Sequence, residues 1–139
     1  MQPHQADPML GIWKLNLEKS KYDGIPAPKS RTVTWAAQED GQMKLTIDQM
    51  DAKGQSTRTE WVGKIDGKEY PVTGSAMLDT VSFKRIDLLT IEFTQKKEGK
   101  VVVTTKAVIS KDGKTHTSAW NGTDEEGKPK SWTMVHEKR

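Results

Sequence analysis

Residues 31–65 read RTVTWAAQEDGQMKLTIDQMDAKGQSTRTEWVGKI, three runs of alternating apolar and polar side chains divided by Asp40-Gly41 and Lys53-Gly54. Val33, Trp35 and Ala37 share one side of the first run, Met43, Leu45 and Ile47 one side of the second, and Trp61, Gly63 and Ile65 one side of the third. Successive side chains point to opposite faces of a pleated strand, so a period of two marks strands with one dry face. Glycine in each divider supplies the positive φ that closes a short hairpin. The stretch therefore predicts three consecutive antiparallel strands.

Working outward, the same punctuation recurs at Asp23-Gly24, Asp66-Gly67, Thr73-Gly74, Glu98-Gly99, Asp112-Gly113, Asn121-Gly122 and Glu126-Gly127. Between the turns the pattern predicts strands over residues 10–17, 31–38, 43–50, 56–65, 69–72, 80–87, 89–95, 100–110, 115–121 and 131–138. No window carries the apolar spacing of a helix. The 15 Thr and 9 Val agree, since branched side chains suit a pleated surface. The opposite faces carry Lys44, Thr46, Asp48, Arg58, Glu60, Lys84 and Glu92, so one side is wet. About ten short strands with one wet face must fold over or close, and the hairpin connectivity favours closure. The predicted fold is all-β, a single antiparallel up-and-down β-barrel of about eight to ten strands.

With 139 residues there is room for one domain. Residues 1–8, polar and carrying two Pro, read as a disordered leader, and residues 9–139 as the barrel. Such a leader is what remains when a secretory signal has been removed. The connection over residues 18–30, with Pro26 and Pro28, reads as a flap over one end. A chain without cysteine has no disulfide framework, cysteine-bound zinc, iron–sulfur cluster or thiolate nucleophile. The net charge of +3 comes from interspersed residues and lacks the clustering of a nucleic-acid surface, so no nucleic-acid partner is expected. No apolar run approaches the ~20 residues of a membrane-spanning helix. Monomer and homodimer both stay open.

Gly11-Ile12-Trp13, at the start of the first strand, resembles the glycine-x-tryptophan motif that opens lipocalins and other members of the calycin superfamily. The resemblance implies that Trp13 plugs one end of the barrel beneath a basic side chain of the last strand, here Lys138 or Arg139. Residues 134–138 resemble the last strand of the fatty-acid-binding branch, where an Arg and a Tyr two apart hold the ligand carboxylate. Met134 and His136 stand in those places, a departure that speaks against fatty-acid binding. Residues 13–20, 26–30 and 70–74 are similar to a group of small bacterial lipocalin-like proteins, which implies a periplasmic or secreted protein.

Five of the nine aromatic residues are Trp, and large rings gather where a small core or a cavity needs area. His116, Ser118 and Trp120 alternate on one strand, and Trp132, Met134 and His136 on the next. Facing inward, they would join Trp35, Trp61 and Phe83 around a ligand cavity, with Arg85, on the face of Val81 and Phe83, as its cation. The expected function is binding of a small hydrophobic or aromatic molecule. The alternative is an enzyme of the same fold, an isomerase, cyclase or hydratase, with His116 and His136 as acid–base groups. A third possibility is a filled barrel that binds a protein through a sheet edge or the Pro-rich flap. Two His without a third ligand fall short of a metal site, and with no phosphate loop, nucleophile elbow or nucleotide-binding unit no cofactor is expected. Asn121-Gly122-Thr123 matches a glycosylation acceptor, but Asn-Gly reads first as a hairpin turn.

Overall fold

A computed structural model describes residues 7–22, 25–75, 78–123 and 126–139. Among these, the chain forms eleven strands: β1 (Gly11–Leu15), β2 (Lys21–Tyr22), β3 (Ser30–Ala37), β4 (Met43–Met50), β5 (Ser56–Gly63), β6 (Glu69–Thr73), β7 (Thr80–Asp87), β8 (Thr90–Lys97), β9 (Lys100–Ile109), β10 (Thr115–Thr123) and β11 (Pro129–Lys138). Each strand from β3 to β11 pairs antiparallel with the next, and β1 pairs with both β3 and β11. That last pairing closes a ten-strand barrel, with β2 left as a short edge strand on β11. The only helical element among the described residues is a three-residue 3-10 turn, Glu39–Gly41.

The tenth partner along the seam is not one continuous strand. A single first strand over residues 10–17 is expected, but β1 stops at Leu15. Asn16 takes the backbone N–H of Lys19 on its side-chain oxygen, and the Ser20 hydroxyl donates to the Asn16 carbonyl. The chain re-forms as β2 on the same side of β11, with Tyr22 opposite Trp132. The predicted flap is thus partly a strand, and Asp23-Gly24 lies outside the described residues. The strong turn preference of Asn and Ser overrides the alternation here.

The Asn121-Gly122 turn is corrected as well. Both residues lie within β10, with Gly122 opposite Val103 on one side and Lys130 on the other. A Cβ at Gly122 would meet Val103 Cγ2 at 3.0 Å and Trp132 Cη2 at 3.3 Å, so glycine serves close packing there rather than chain reversal. The β10–β11 connection comes later, where Gly127 has φ +80°.

Of the inward residues named from the alternation, Trp35, Trp61 and Phe83 are each at most 4% exposed, whereas Ala37, at the end of β3, is exposed. The three rings belong to a large cluster with Met9, Trp13, Met43, Leu45, Val81, Ile91 and Ile109. A second cluster of Leu15, Trp120 and Met134, with Tyr22 and Trp132 packed on it, is separate. Trp13 is 1% exposed, its indole N–H donates to the Met9 carbonyl, and Lys138 Nζ lies 5.2 Å from its ring centroid. Gly11 makes that cover possible: with φ +126°, its absent Cβ would stand 2.7 Å from Lys138 Cε. Residues 1–6 of the predicted leader lie outside the described residues. Asp7 and Pro8 lead into the barrel, with the Asp7 carbonyl accepting the N–H of Leu10.

Candidate functional site

Inside the barrel, an opening of about 60 Å³ is walled by side chains from both clusters and by polar groups between them. Trp35, Trp61 and Phe83 form one wall, with Trp35–Phe83 centroids 5.1 Å apart and Trp61–Phe83 4.6 Å. Phe93 carries the edge-to-face chain on to Trp120, 5.2 Å away. Edge-to-face packing fixes the rings without filling the space between them. Two of the indoles are tied in place, Trp61 by donation to the Val81 carbonyl (3.0 Å) and Trp120 by donation to the Ser118 hydroxyl (2.7 Å).

Besides Thr59 and Glu60, the polar groups are Arg31, His116, Ser118, Gln95 and His136. Arg31 stands two residues before Val33 and four before Trp35, on the same inward face of β3. Its Nη1 donates to Gln49 Oε1 at 2.9 Å, and its guanidinium carbon lies 5.6 Å from the Trp120 ring centroid. Its Nε is buried with no partner. Among the described residues no carboxylate forms an ion pair with it. Burial lowers its pKa to about 10, which leaves the cation charged at neutral pH. Nearby, the buried Tyr22 hydroxyl is also unpartnered, and its pKa is raised by burial.

His116 and His136 face each other across the β10–β11 ladder, edge to face, with ring centroids 5.9 Å apart. Both His136 ring nitrogens are buried without a hydrogen-bond partner. Burial, helped by the Arg31 charge, holds the His116 pKa down at about 4. The same two causes and the neighbouring His116 bring His136 to about 3. Both rings are therefore neutral at physiological pH. Among the described residues no group of three or more His, Asp or Glu could hold a metal ion.

Of the residues expected at the cavity, Trp35, Trp61, Phe83, His116, Trp120 and His136 line it. Arg85, Trp132 and Met134 do not. Arg85 pairs with Asp7 and donates to the Leu88 carbonyl. Trp132 is on the cavity side of β11 but stacks on Trp120, at 5.9 Å and 13° between planes, and packs into the second cluster with Met134. The cavity cation is Arg31 instead. The alternation that placed Val33 and Trp35 inward extends to it without change, so the signal was present two residues upstream.

The wall also includes Thr59, Glu60, Val72 and Leu78, residues of β5, β6 and the β6–β7 connection. There the ladder is thin. β5 and β6 share two residue pairs and β6 and β7 three, against eight between β3 and β4. The Glu60 side chain is 38% exposed, so the cavity wall reaches the surface at this seam.

No protein-family model and no curated protein matches the sequence. Among solved structures, two single-residue variants of the fluorescent protein UnaG are similar in fold. One has a TM-score of 0.62 at 14% identity, over 95% of this chain and 96% of that one. The other has a TM-score of 0.59 at 17% identity, over 96% of each. A structure of mFAP2b bound to DFHBI matches at TM-score 0.48 and 9% identity, over 95% of this chain and 94% of that one. With the closed antiparallel meander, the two UnaG likenesses show that the chain has a lipocalin-like up-and-down β-barrel fold.

Proposed function

We propose that the barrel binds a small molecule with an apolar, aromatic body in the cavity between Trp35, Trp61, Phe83 and Trp120. The observation that carries this is the opening itself, an apolar, ring-walled space inside a closed barrel that reaches the surface where the ladder is thin. About 60 Å³ is room for roughly two waters at ~30 Å³ each, and ligand pockets run to ~300 Å³ and more. Binding therefore needs the cavity to widen. The β5–β6–β7 seam supplies the place, since strands with few shared hydrogen bonds open at low cost. Met9, unbranched and at the cavity wall, can shift with it.

Acid–base catalysis by the histidine pair is the poorer account. A general base works best with a pKa near the working pH, whereas these rings are held near 4 and 3 beside a guanidinium. No carboxylate among the described residues hydrogen-bonds to either ring. A fluorescence titration with N-phenyl-1-naphthylamine, a neutral probe that brightens in apolar surroundings, tests binding. Saturable enhancement together with a rise in melting temperature supports it. A probe that changes neither signal overturns it.

A further inference from the structure

The cavity contains a combination that binding of a neutral molecule does not explain. Arg31 is a permanent cation, half-buried with its Nε cut off from water, and its Nη1 donates to a neutral amide. Leaving a charge buried without a counter-ion costs several kcal/mol, and proteins retain such an arrangement where something else supplies the opposite charge. Around it stand unsatisfied groups: Arg31 Nε, the Tyr22 hydroxyl, the Thr105 hydroxyl and the neutral His136 ring, which offers one N–H donor. Thr105 lies opposite Trp120 on the β9–β10 ladder and Tyr22 opposite Trp132 on β11, beside Arg31 at the Trp120 end, whereas His136 stands four residues along β11, where it and Arg31 both line the opening. Partnerless donors around a lone cation are a mould for an anion.

From this we infer that the ligand is a compact aromatic acid, its single negative charge held by Arg31 with His136, and its ring lying toward Trp35, Trp61 and Phe83. The inference rests on the cavity-binding role proposed above and specifies its ligand class. Charge decides for an acid, because a neutral head group would leave the guanidinium uncompensated. Size decides for a compact body, since the rings of the barrel already touch in a chain from Trp35 to Trp120 and leave no channel for a long acyl tail. The site is also distinct from a carboxylate clamp on the last strand: its cation comes from β3.

A matched pair of probes tests this. 1-Naphthoate and 1-naphthamide share one ring system and nearly one shape and differ in charge. Calorimetric titration of the wild-type protein should show the acid binding about 10- to 100-fold more tightly, equivalent to about 1.4 to 2.8 kcal/mol at 1.4 per decade. Arg31→Met should abolish that ratio while the amide still binds, and Arg31→Lys, which keeps the charge, should restore part of it. Should Arg31→Met not fold, the wild-type ratio and Arg31→Lys remain as readouts. Equal binding of acid and amide to the wild type overturns the inference and leaves the cavity-binding role standing. Binding of neither probe overturns both.

Discussion

Acidification should destabilise this barrel well above the pH at which carboxylates titrate, and the histidine pair sets the size of the effect. Unfolded, each imidazole takes up its proton near pH 6.5. Folded, His116 holds out until about 4 and His136 until about 3. Between those limits the unfolded state binds more protons than the folded one, so stability rises with pH and is lost as pH falls. The charged groups facing the pair deepen the effect, because Arg31 acts on both rings and each ring would repel its protonated neighbour. From pH 6.5 to 4.5 the loss comes to about 2 kcal/mol per histidine, or ~4 for the pair, at ~1.4 kcal/mol per pH unit once well below 6.5. Carboxylates scarcely contribute in that window: Asp66, Asp79, Asp112 and Glu137 all have lowered values and matter only below it. For a domain of 139 residues the loss corresponds to a fall in melting temperature of roughly 10–20 °C. Urea denaturation at half-unit pH steps, followed by Trp fluorescence, measures it directly. His136→Gln, which cannot titrate, should halve the slope whatever it does to the baseline. A wild-type curve flat between pH 6.5 and 4.5, or a slope unchanged in His136→Gln, would refute the burial of neutral imidazoles.

Three other outcomes are expected. Trp13→Ala should cost about 3–5 kcal/mol in urea denaturation, as for other buried aromatics, whereas Lys138→Met, which removes only the cation over the ring, should cost about 0.5–1 kcal/mol; a Trp13→Ala protein that melts with the parent would show that the plug is not structural. Arg31→Met should leave the ligand-free protein as stable or up to ~4 kcal/mol more stable, because it removes a buried charge that has no counter-ion; a large loss of stability in chemical denaturation would mean that the cation is structurally compensated. A cross-link across the thin seam, Glu60→Cys with Thr73→Cys at a directly paired position, should slow probe uptake in stopped-flow fluorescence at least tenfold when oxidised and restore it on reduction, and an unchanged rate would place the way in elsewhere.

The closed meander was legible because alternation and Gly-containing turns point to the same strands. Val33 with Trp35, Met43 with Leu45, and Val81 with Phe83 all fall inward as their period requires. Where the reading failed, a contact distant in sequence decided. Arg85 does share a face with Val81 and Phe83, but the strand pairing shifts register between Arg85 and Asp87, and Asp7, 78 residues away, claims the guanidinium. Nothing local to Arg85 announces Asp7. β2 escaped notice for a different reason, since two residues carry no periodicity and Lys21-Tyr22 forms a strand only because β11 presents an open edge beyond Leu15. Asn121-Gly122 misled because the dipeptide that best closes a hairpin is also one that lets Val103 and Trp132 approach the backbone. Arg31 also lies within the pattern, at the head of the strand whose alternation turns Val33 and Trp35 inward.

The central claim, that the opening among the rings is where a ligand sits, is tested most directly by the indole N–H signals of the ¹⁵N-labelled protein during titration with 1-naphthoate. Trp35, Trp61 and Trp120 line the cavity, whereas Trp13 is sealed beneath Lys138 outside it. The signals of the first three should move together and saturate, with that of Trp13, bonded to the Met9 carbonyl, moving least. Five unmoved indole signals, or shifts confined to surface residues at saturation, would contradict it.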